Sequence, residues 1–319
     1  MEKYKSSDFS NWDCIIPVSG GKDSTYQVYK ILKLGYNPIC VVSSTCHLTD
    51  IGRENIENLK KIGVDMIEFT ANRNIRKIIN KLGLETIGDI SWPEHIGIFT
   101  VPVMFAVKFN IKLIIWGENS QNEYGGPASD TDTKFLDRSW LENFGGLIGL
   151  RQSDIIDISD NKIKERDIIS YKYPSDEEIN KVGVTGLFLG YYFSWSGIAN
   201  SIISQSLGFK TYHKFVEGSA CNYENLDNYQ VGIHDYLKYL KFGFGRATDL
   251  VNNNIRRNIL EMAVAAGASS SHFGGALSIA EIVSTLFAYQ MKIDKKNPNW
   301  EDRDRFILSK GHACLAYYA

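Results

Sequence analysis

The sequence predicts an α/β protein, a doubly wound parallel sheet followed by a short and mostly helical segment. Three observations predict it. Short β-branched runs alternate with amphipathic helices over residues 13–116, a Gly-Gly turn follows directly on the first run, and the hydrophobic period changes near residue 250. Strands separated by single helices pair in parallel, because the crossover helix returns the chain to the same end of the sheet.

Residues 13–18 form the first apolar run, and Ser19-Gly20-Gly21 turns the chain after it. Val28, Ile31 and Leu32 share one face of the helix that follows, and Gly35 ends it. Residues 37–42 form the second strand. Asp50 is placed to cap a helix carrying Ile56, Leu59 and Ile62, which stops at Gly63. Residues 64–69 give a third strand and residues 72–82 a helix that ends at Gly83. A helical stretch over 98–109 leads to a fourth strand at 112–116. Ligands of such a sheet sit at the carboxyl ends of its strands. Two of those ends carry unusual residues, Ser19-Gly20-Gly21 and Gly117-Glu118-Asn119-Ser120.

From 121 to 249 the pattern is less regular, with a capping box at Ser175 and Glu178. Beyond it, Ile255, Ile259, Met262, Ala263 and Ala266 mark a new amphipathic helix. Ser278 and Glu281 predict a capped helix over 279–290. The domain boundary is therefore placed at 249/250, giving domains 1–249 and 250–319.

The chain of 319 residues is 44% hydrophobic and 23% charged, enough to bury a core, with a formal net charge of -2. No basic stripe points to nucleic acid. The polar N-terminus has no apolar h-region, and Ser194, Ser196, Asn200, Ser201, Ser204 and Gln205 interrupt the apolar stretch over 182–209. Buried core rather than a membrane span is expected there. Five cysteines without a C-x-x-C pair fit reduced thiols in the cytoplasm.

The chemistry centres on Ser19-Gly20-Gly21-Lys22-Asp23-Ser24. A Gly-Gly turn between a strand and a helix leaves backbone N–H groups to surround an anion, and the helix N-terminus adds partial positive charge. Ser19 and Ser24 can donate hydroxyl hydrogen bonds and Lys22 can add charge. The spacing is not G-x-x-x-x-G-K-[ST], and no G-x-G-x-x-G is present. The loop resembles that of the pyrophosphate-loop synthetases, also called adenine nucleotide alpha hydrolase-like enzymes, which hold the β and γ phosphates of ATP as a leaving group.

With Pro17 to Ser24, Gly88-Asp89-Ile90-Ser91-Trp92-Pro93-Glu94-His95, Trp116 to Ser120, Gly190-Tyr191-Tyr192-Phe193 and Gly243 to Asp249, the stretch 12–249 resembles the N-acetyl sugar amidotransferases. The resemblance implies adenylation of a sugar acetamido oxygen and attack of ammonia to give an acetamidino group, in surface-polysaccharide synthesis. It implies ATP, Mg2+ and a nucleotide-sugar substrate. Ser19, Gly20, Gly21, Lys22, Asp23 and Ser24 would hold pyrophosphate, Ser43 and Ser44 would approach adenine, and Gly117 would line the nucleotide site. Lys22, Asp23 and Glu118 are the catalytic candidates, and Glu94, His95 and Asn119 the substrate candidates. Family members begin with a cysteine-rich, zinc-ribbon-like segment that this sequence does not show, and Phe193-Ser194-Trp195-Ser196-Gly197 carries serines where Pro and Asp are usual. No cysteine lies in a nucleophile elbow. The chain is thus expected not to release ammonia from glutamine itself, and the resemblance implies a separate glutaminase and an ammonia-channel subunit as partners.

Residues 255–319 resemble the start of a transketolase, through Ser271-His272-Phe273-Gly274-Gly275, Asn297-Pro298-Asn299-Trp300, Asp302 to Ser309 and Lys310-Gly311-His312-Ala313. In that family the histidines matching His272 and His312 face thiamine diphosphate. The family's G-D-G…N-N element would lie further on, so the tail is expected to be a fragment of a thiamine-diphosphate-binding fold with vestigial histidines and no bound cofactor. Three alternative functions stand beside the amidotransferase: a pyrophosphate-loop enzyme that modifies tRNA, an inactive ATP-binding fusion or truncation product, and a transketolase-subunit-related protein.

Overall fold

The structure, a computed structural model, describes residues 2–6, 11–45, 47–117, 135–136, 154–160, 162–216, 219, 221–243, 245–267, 273–294 and 296–319. Its packing divides the chain into two compact units, Met1–Val216 with Cys221–His234, and Glu217–Ala220 with Asp235–Ala319.

The first unit is an α/β sandwich. Five parallel strands, β1 (Cys14–Pro17), β2 (Pro38–Ser43), β3 (Asp65–Phe69), β4 (Leu113–Trp116) and β6 (Thr185–Phe188), join a two-residue antiparallel strand β5 (Phe135–Leu136) in the order β3-β2-β1-β4-β6-β5. The near-continuous apolar runs of β1, β2 and β4 suit strands covered on both faces. One face buries Cys14, Ile16, Cys40, Val42, Leu113 and Ile115 against Val28 and Ile31 of α1 (Lys22–Lys33) and Ile56 and Leu59 of α2 (Asp50–Lys61). The other buries Ile15, Val41 and Ile114 against Val101, Val103 and Ala106 of α4 (Trp92–Lys108). A third cluster joins Ile79 of α3 (Arg73–Ile87) to Trp92 and Ile96 of α4, and to Ile155 of α5 (Asp154–Ile158).

Three local expectations are corrected. Thr49, not Asp50, caps α2: its hydroxyl accepts from the Gly52 N–H at 2.9 Å and donates to the Leu226 carbonyl, leaving Asp50 as the first helical residue. Helix α3 runs through Gly83 and ends at Gly88, which takes the left-handed cap at φ 67°. Packing of its next turn outweighs the intrinsic cost of a mid-helix glycine. Helix α4 starts at Trp92, six residues before its most regular apolar pattern, with Pro93 in its first turn, where a missing N–H costs nothing.

The Ser175 and Glu178 capping box forms at the start of α6 (Asp176–Val182), with Glu178 Oε2 accepting from the Ser175 N–H at 2.9 Å. The apolar stretch over 182–209 contains β6 and α7 (Gly197–Ser206), whose Asn200, Ser201 and Ser204 are buried. Among the described residues no single helix is long and apolar enough to cross a membrane.

Helix α8 (Val231–Phe242) spans the division between the units. In the second unit, Ile255 and Ile259 of α9 (Arg246–Ala266) pack with Ala276 of α10 (Phe273–Leu277), Ala280 and Val283 of α11 (Ala280–Thr285) and Ala316 of α12 (Cys314–Tyr318). Residues 249/250, the expected boundary, fall inside α9. The expected cap at Ser278 does not form. Its hydroxyl donates to the Gly275 carbonyl at 2.8 Å, Ile279 is the cap residue, and the Glu281 carboxylate pairs with Arg256 instead.

Candidate functional site

Strand β1 lies between β2 and β4, so the chain leaves it towards one side of the sheet while its other neighbour belongs to a later crossover. That junction is a topological switch point, where the loops part and open a crevice at the carboxyl ends. The turn of residues 18–21 sits there. Gly20 adopts φ 87°, and Gly21 is the N-cap of α1 with no side-chain cap, so no cap side chain partners the first-turn amides at the end of β1. Ser24 Oγ accepts from the Ser19 N–H at 3.0 Å and lies 3.3 Å from Ser19 Oγ. Ser19 Oγ in turn accepts from the Gly21 N–H at 3.3 Å, so the two hydroxyls line the turn from within.

A Cβ on Gly20 would stand 2.8 Å from Ile56 Cγ1 and 3.1 Å from the Ile56 nitrogen, on the α2 side of the turn. The glycine is needed for its left-handed conformation and for close packing on α2.

Lys22 points into the protein, while the Asp23 carboxylate stays partly exposed beside it. Lys22 Nζ lies 2.6 Å from Asp23 Oδ2 and 3.0 Å from Glu224 Oε1, and Asp23 Oδ1 accepts from Asn200 Nδ2 at 2.8 Å. Burial alone would lower the Lys22 pKa, but the Asp23 and Glu224 carboxylates outweigh it and hold the ammonium well above the usual lysine value. Ser204 Oγ donates to the Lys22 carbonyl at 2.6 Å. Thus α7 fixes the loop through polar groups from a region that showed no regular pattern. Glu224, Asn200 and Ser204 are the loop contacts that spacing did not reveal, because they lie 177 to 202 residues away in the chain.

Trp195 also belongs here. A Cβ on Gly117 would meet its ring at 3.2 Å, and the ring packs edge-on against Tyr26 at 5.5 Å between centroids. The segment 193–197 therefore stands beside the ends of β4 and α1, despite its departure from the expected residues. Ser43 and Ser44 occupy the end of β2, where Ser44 accepts from Arg76 Nη1 through its carbonyl at 2.9 Å. Glu118 and Asn119 lie outside the described residues, as does His272.

Glu94 and His95 part company. Glu94 is buried, paired with Arg76 through Nε at 2.8 Å and through Nη2, and Oε2 accepts from Asn80 at 2.9 Å. Its carboxylate ties α4 to α3. His95 Nδ1 lies 2.8 Å from Asp89 Oδ2, while His234 Nε2 lies 4.0 Å from Asp89 Oδ1. Burial would raise the Asp89 pKa, but the two histidines and the Ser91 N–H overcome it and hold the carboxyl below its usual range. Ligating atoms of Asp89, His95 and His234 all lie within 4.8 Å of one another, the one such cluster among the described residues. Asp89 stands in the Gly88–His95 motif beside His95, but His234 carried no sequence signal, and 145 residues separate it from Asp89.

In the second unit His312 is exposed in the turn Gly311–Ala313.

Comparison with known proteins finds one family model, transketolase, thiamine diphosphate binding domain, over residues 248–319. A 6-deoxy-6-sulfo-D-fructose transketolase subunit from a Clostridium species is 48% identical over 67 residues, 21% of this chain and 24% of that protein. The transketolase of Aquifex aeolicus is 41% identical over 92 residues, 27% of this chain and 13% of its own length. That of Rhodobacter capsulatus is 41% identical over 61 residues, 19% and 9%. The chain thus spans a quarter or less of these relatives, and the resemblance of residues 255–319 to the start of a transketolase holds.

Proposed function

We propose that the first unit is an ATP-dependent amidotransferase acting on the acetamido group of a nucleotide-linked N-acetyl sugar. The observation that carries the reading is the uncapped N-terminus of α1, opening from a glycine turn with two inward serine hydroxyls at the sheet's switch point. The reading of residues 12–249 rests on this geometry and on the motif resemblance.

In the proposed reaction the amide oxygen attacks the α-phosphorus of ATP and pyrophosphate leaves. Ammonia adds to the activated carbon, and AMP departs with the former amide oxygen, leaving the C–N bond of an acetamidino group. The turn amides with Ser19 and Ser24 bind the leaving pyrophosphate, and Mg2+ offsets its charge. Ser43, Ser44 and Gly117 would line the nucleotide side, and the motif resemblance assigns contact with the sugar to His95, Glu118 and Asn119. Lys22 delivers charge to the phosphates only by exchanging a carboxylate of Asp23 or Glu224 for a phosphate oxygen. Nitrogen comes from a separate glutaminase through a channel subunit. Burial pushes the Cys14 thiol far up and that of Cys40 up to about 12, so neither supplies a thiolate for glutamine hydrolysis.

ATP–pyrophosphate exchange across a panel of UDP-N-acetyl sugars tests the proposal. Exchange dependent on one sugar, and product formed from ammonium salt but not from glutamine with the chain alone, is the expected result. No exchange with any sugar overturns it.

A second reading is favoured by the match over residues 248–319: a transketolase-related chain with thiamine diphosphate as its cofactor. Saturable binding of thiamine diphosphate with Mg2+ supports it and removes the expectation that the cofactor does not bind.

A further inference from the structure

The Asp89, His95 and His234 cluster is assembled with more care than an ion pair requires. Asp89 ends the turn after α3, His95 stands in the first turn of α4, and His234 lies in the first turn of α8. The Asp89 N–H donates to the Gly83 carbonyl at 3.0 Å, and a Cβ on Gly83 would stand 2.5 Å from the Asp89 carbonyl oxygen, so only glycine lets the turn close this tightly. The carbonyl of Ile90 accepts from Asn80 Nδ2 at 2.6 Å and from Gln230 Nε2 at 2.7 Å. One carbonyl thus ties α3 to the segment that carries His234.

The histidine rings stand edge-on, 5.1 Å between centroids. Asp89 Oδ2 already meets His95 Nδ1 at 2.8 Å and Oδ1 accepts from the Ser91 N–H, while His234 at 4.0 Å is too far for a hydrogen bond to it. A zinc ion with bonds of about 2.0–2.1 Å brings tetrahedral ligand atoms to roughly 3.3 Å apart. The three atoms, now within 4.8 Å of one another, need to close by up to about 1.5 Å to reach that distance, within the reach of small side-chain rotations. The side chains are 8% exposed for Asp89, 31% for His95 and 20% for His234, so the carboxylate is enclosed and the imidazoles remain reachable from solvent.

We propose that Asp89, His95 and His234 form a binding site for one divalent transition-metal ion, zinc foremost, with a coordination position left open to water or a substrate oxygen. Two imidazoles and a carboxylate are the ligands such an ion selects, whereas calcium and magnesium prefer oxygen alone. Three protein ligands rather than four leave the open position typical of sites that polarise a bound oxygen. The Ser91 N–H, donating to Asp89 Oδ1 at 2.8 Å, orients the carboxylate from behind. This inference is independent of the nucleotide reading.

The test is titration of the metal-stripped full chain with Zn2+ against a chromophoric chelator, and with Co2+ followed by visible absorption. One equivalent binds in the wild type, and His95→Gln and His234→Gln each weaken zinc at least 100-fold. The cobalt complex shows d–d bands without thiolate-to-metal charge transfer. Thermal unfolding without metal identifies a variant that fails to fold, in which case the other variant and the wild-type cobalt spectrum decide. Equal zinc affinity in the wild type and a folded variant overturns the proposal, as does thiolate charge transfer or a site that stays empty at micromolar zinc.

Discussion

Gly20 holds φ 87° with Ile56 against its α-carbon, and both facts bear on what a side chain does there. A branched residue in an anion-binding turn can act either by intruding on phosphate or by straining the fold. The built Cβ instead meets α2, so the penalty falls on the fold before any ligand arrives. A left-handed non-glycine residue costs about 1–2 kcal/mol and overpacking adds about 1–3 kcal/mol. Gly20→Val is expected to unfold roughly 5–15 °C below the wild type in the absence of nucleotide, and to lose ATP binding with it. Unchanged thermal stability with lost binding would restore the phosphate-clash account. Other single residues changed meaning in the same way. The Glu94 of a promising motif is an internal partner of Arg76, and its neighbour His95 is exposed to chemistry through Asp89 and His234. Motif membership was legible at each position, but the direction of each side chain depended on neighbours far along the chain.

Helix α2 and strand β3 meet through charges as well as through apolar packing. Glu68 of β3 lies 2.6 Å from Arg53 Nη1 and 2.6 Å from Lys60 Nζ, both on α2. Burial would raise its pKa, but the two cations outweigh it and hold the carboxyl below the usual glutamate value. Its folded pKa is thus below its unfolded one. The stabilisation is present above the unfolded value of about 4.3 and is lost as pH falls through the folded value. Glu68→Gln should lower urea stability at neutral pH by about 1 kcal/mol or less, and the difference from wild type should vanish in acid. A difference that persists unchanged at low pH would mean that the pair contributes no charge interaction. At this scale strands β1 to β4 were legible from their apolar runs. Helix limits were less so, because Thr49 competes with Asp50 as a cap and α3 passes through Gly83. Local propensity differs by a fraction of a kilocalorie between such choices, and tertiary packing decides.

Packing gathers the chain into two units, each with its own buried cluster. Two calorimetric transitions are therefore expected rather than one. An unhydrolysed ATP analogue with Mg2+ should raise only the transition of the α/β unit, in proportion to the logarithm of its concentration over its dissociation constant. Thiamine diphosphate with Mg2+ raising the other transition would favour the transketolase-related reading. A single transition with matching calorimetric and van't Hoff enthalpies would show that the units unfold as one. The sequence by itself determined the α/β class, the strand that precedes the loop, the glycine turn and the transketolase resemblance of the tail. These follow from period, from φ preferences and from contiguous motifs, all readable within a few residues. Only the tertiary structure decided that β6 completes the parallel sheet, that Glu224 and Asn200 hold Lys22 and Asp23, and that Asp89, His95 and His234 converge. Those are contacts between residues tens to hundreds of positions apart. No local pattern encodes them, because they exist only once the crossovers have brought separate segments to one end of the sheet.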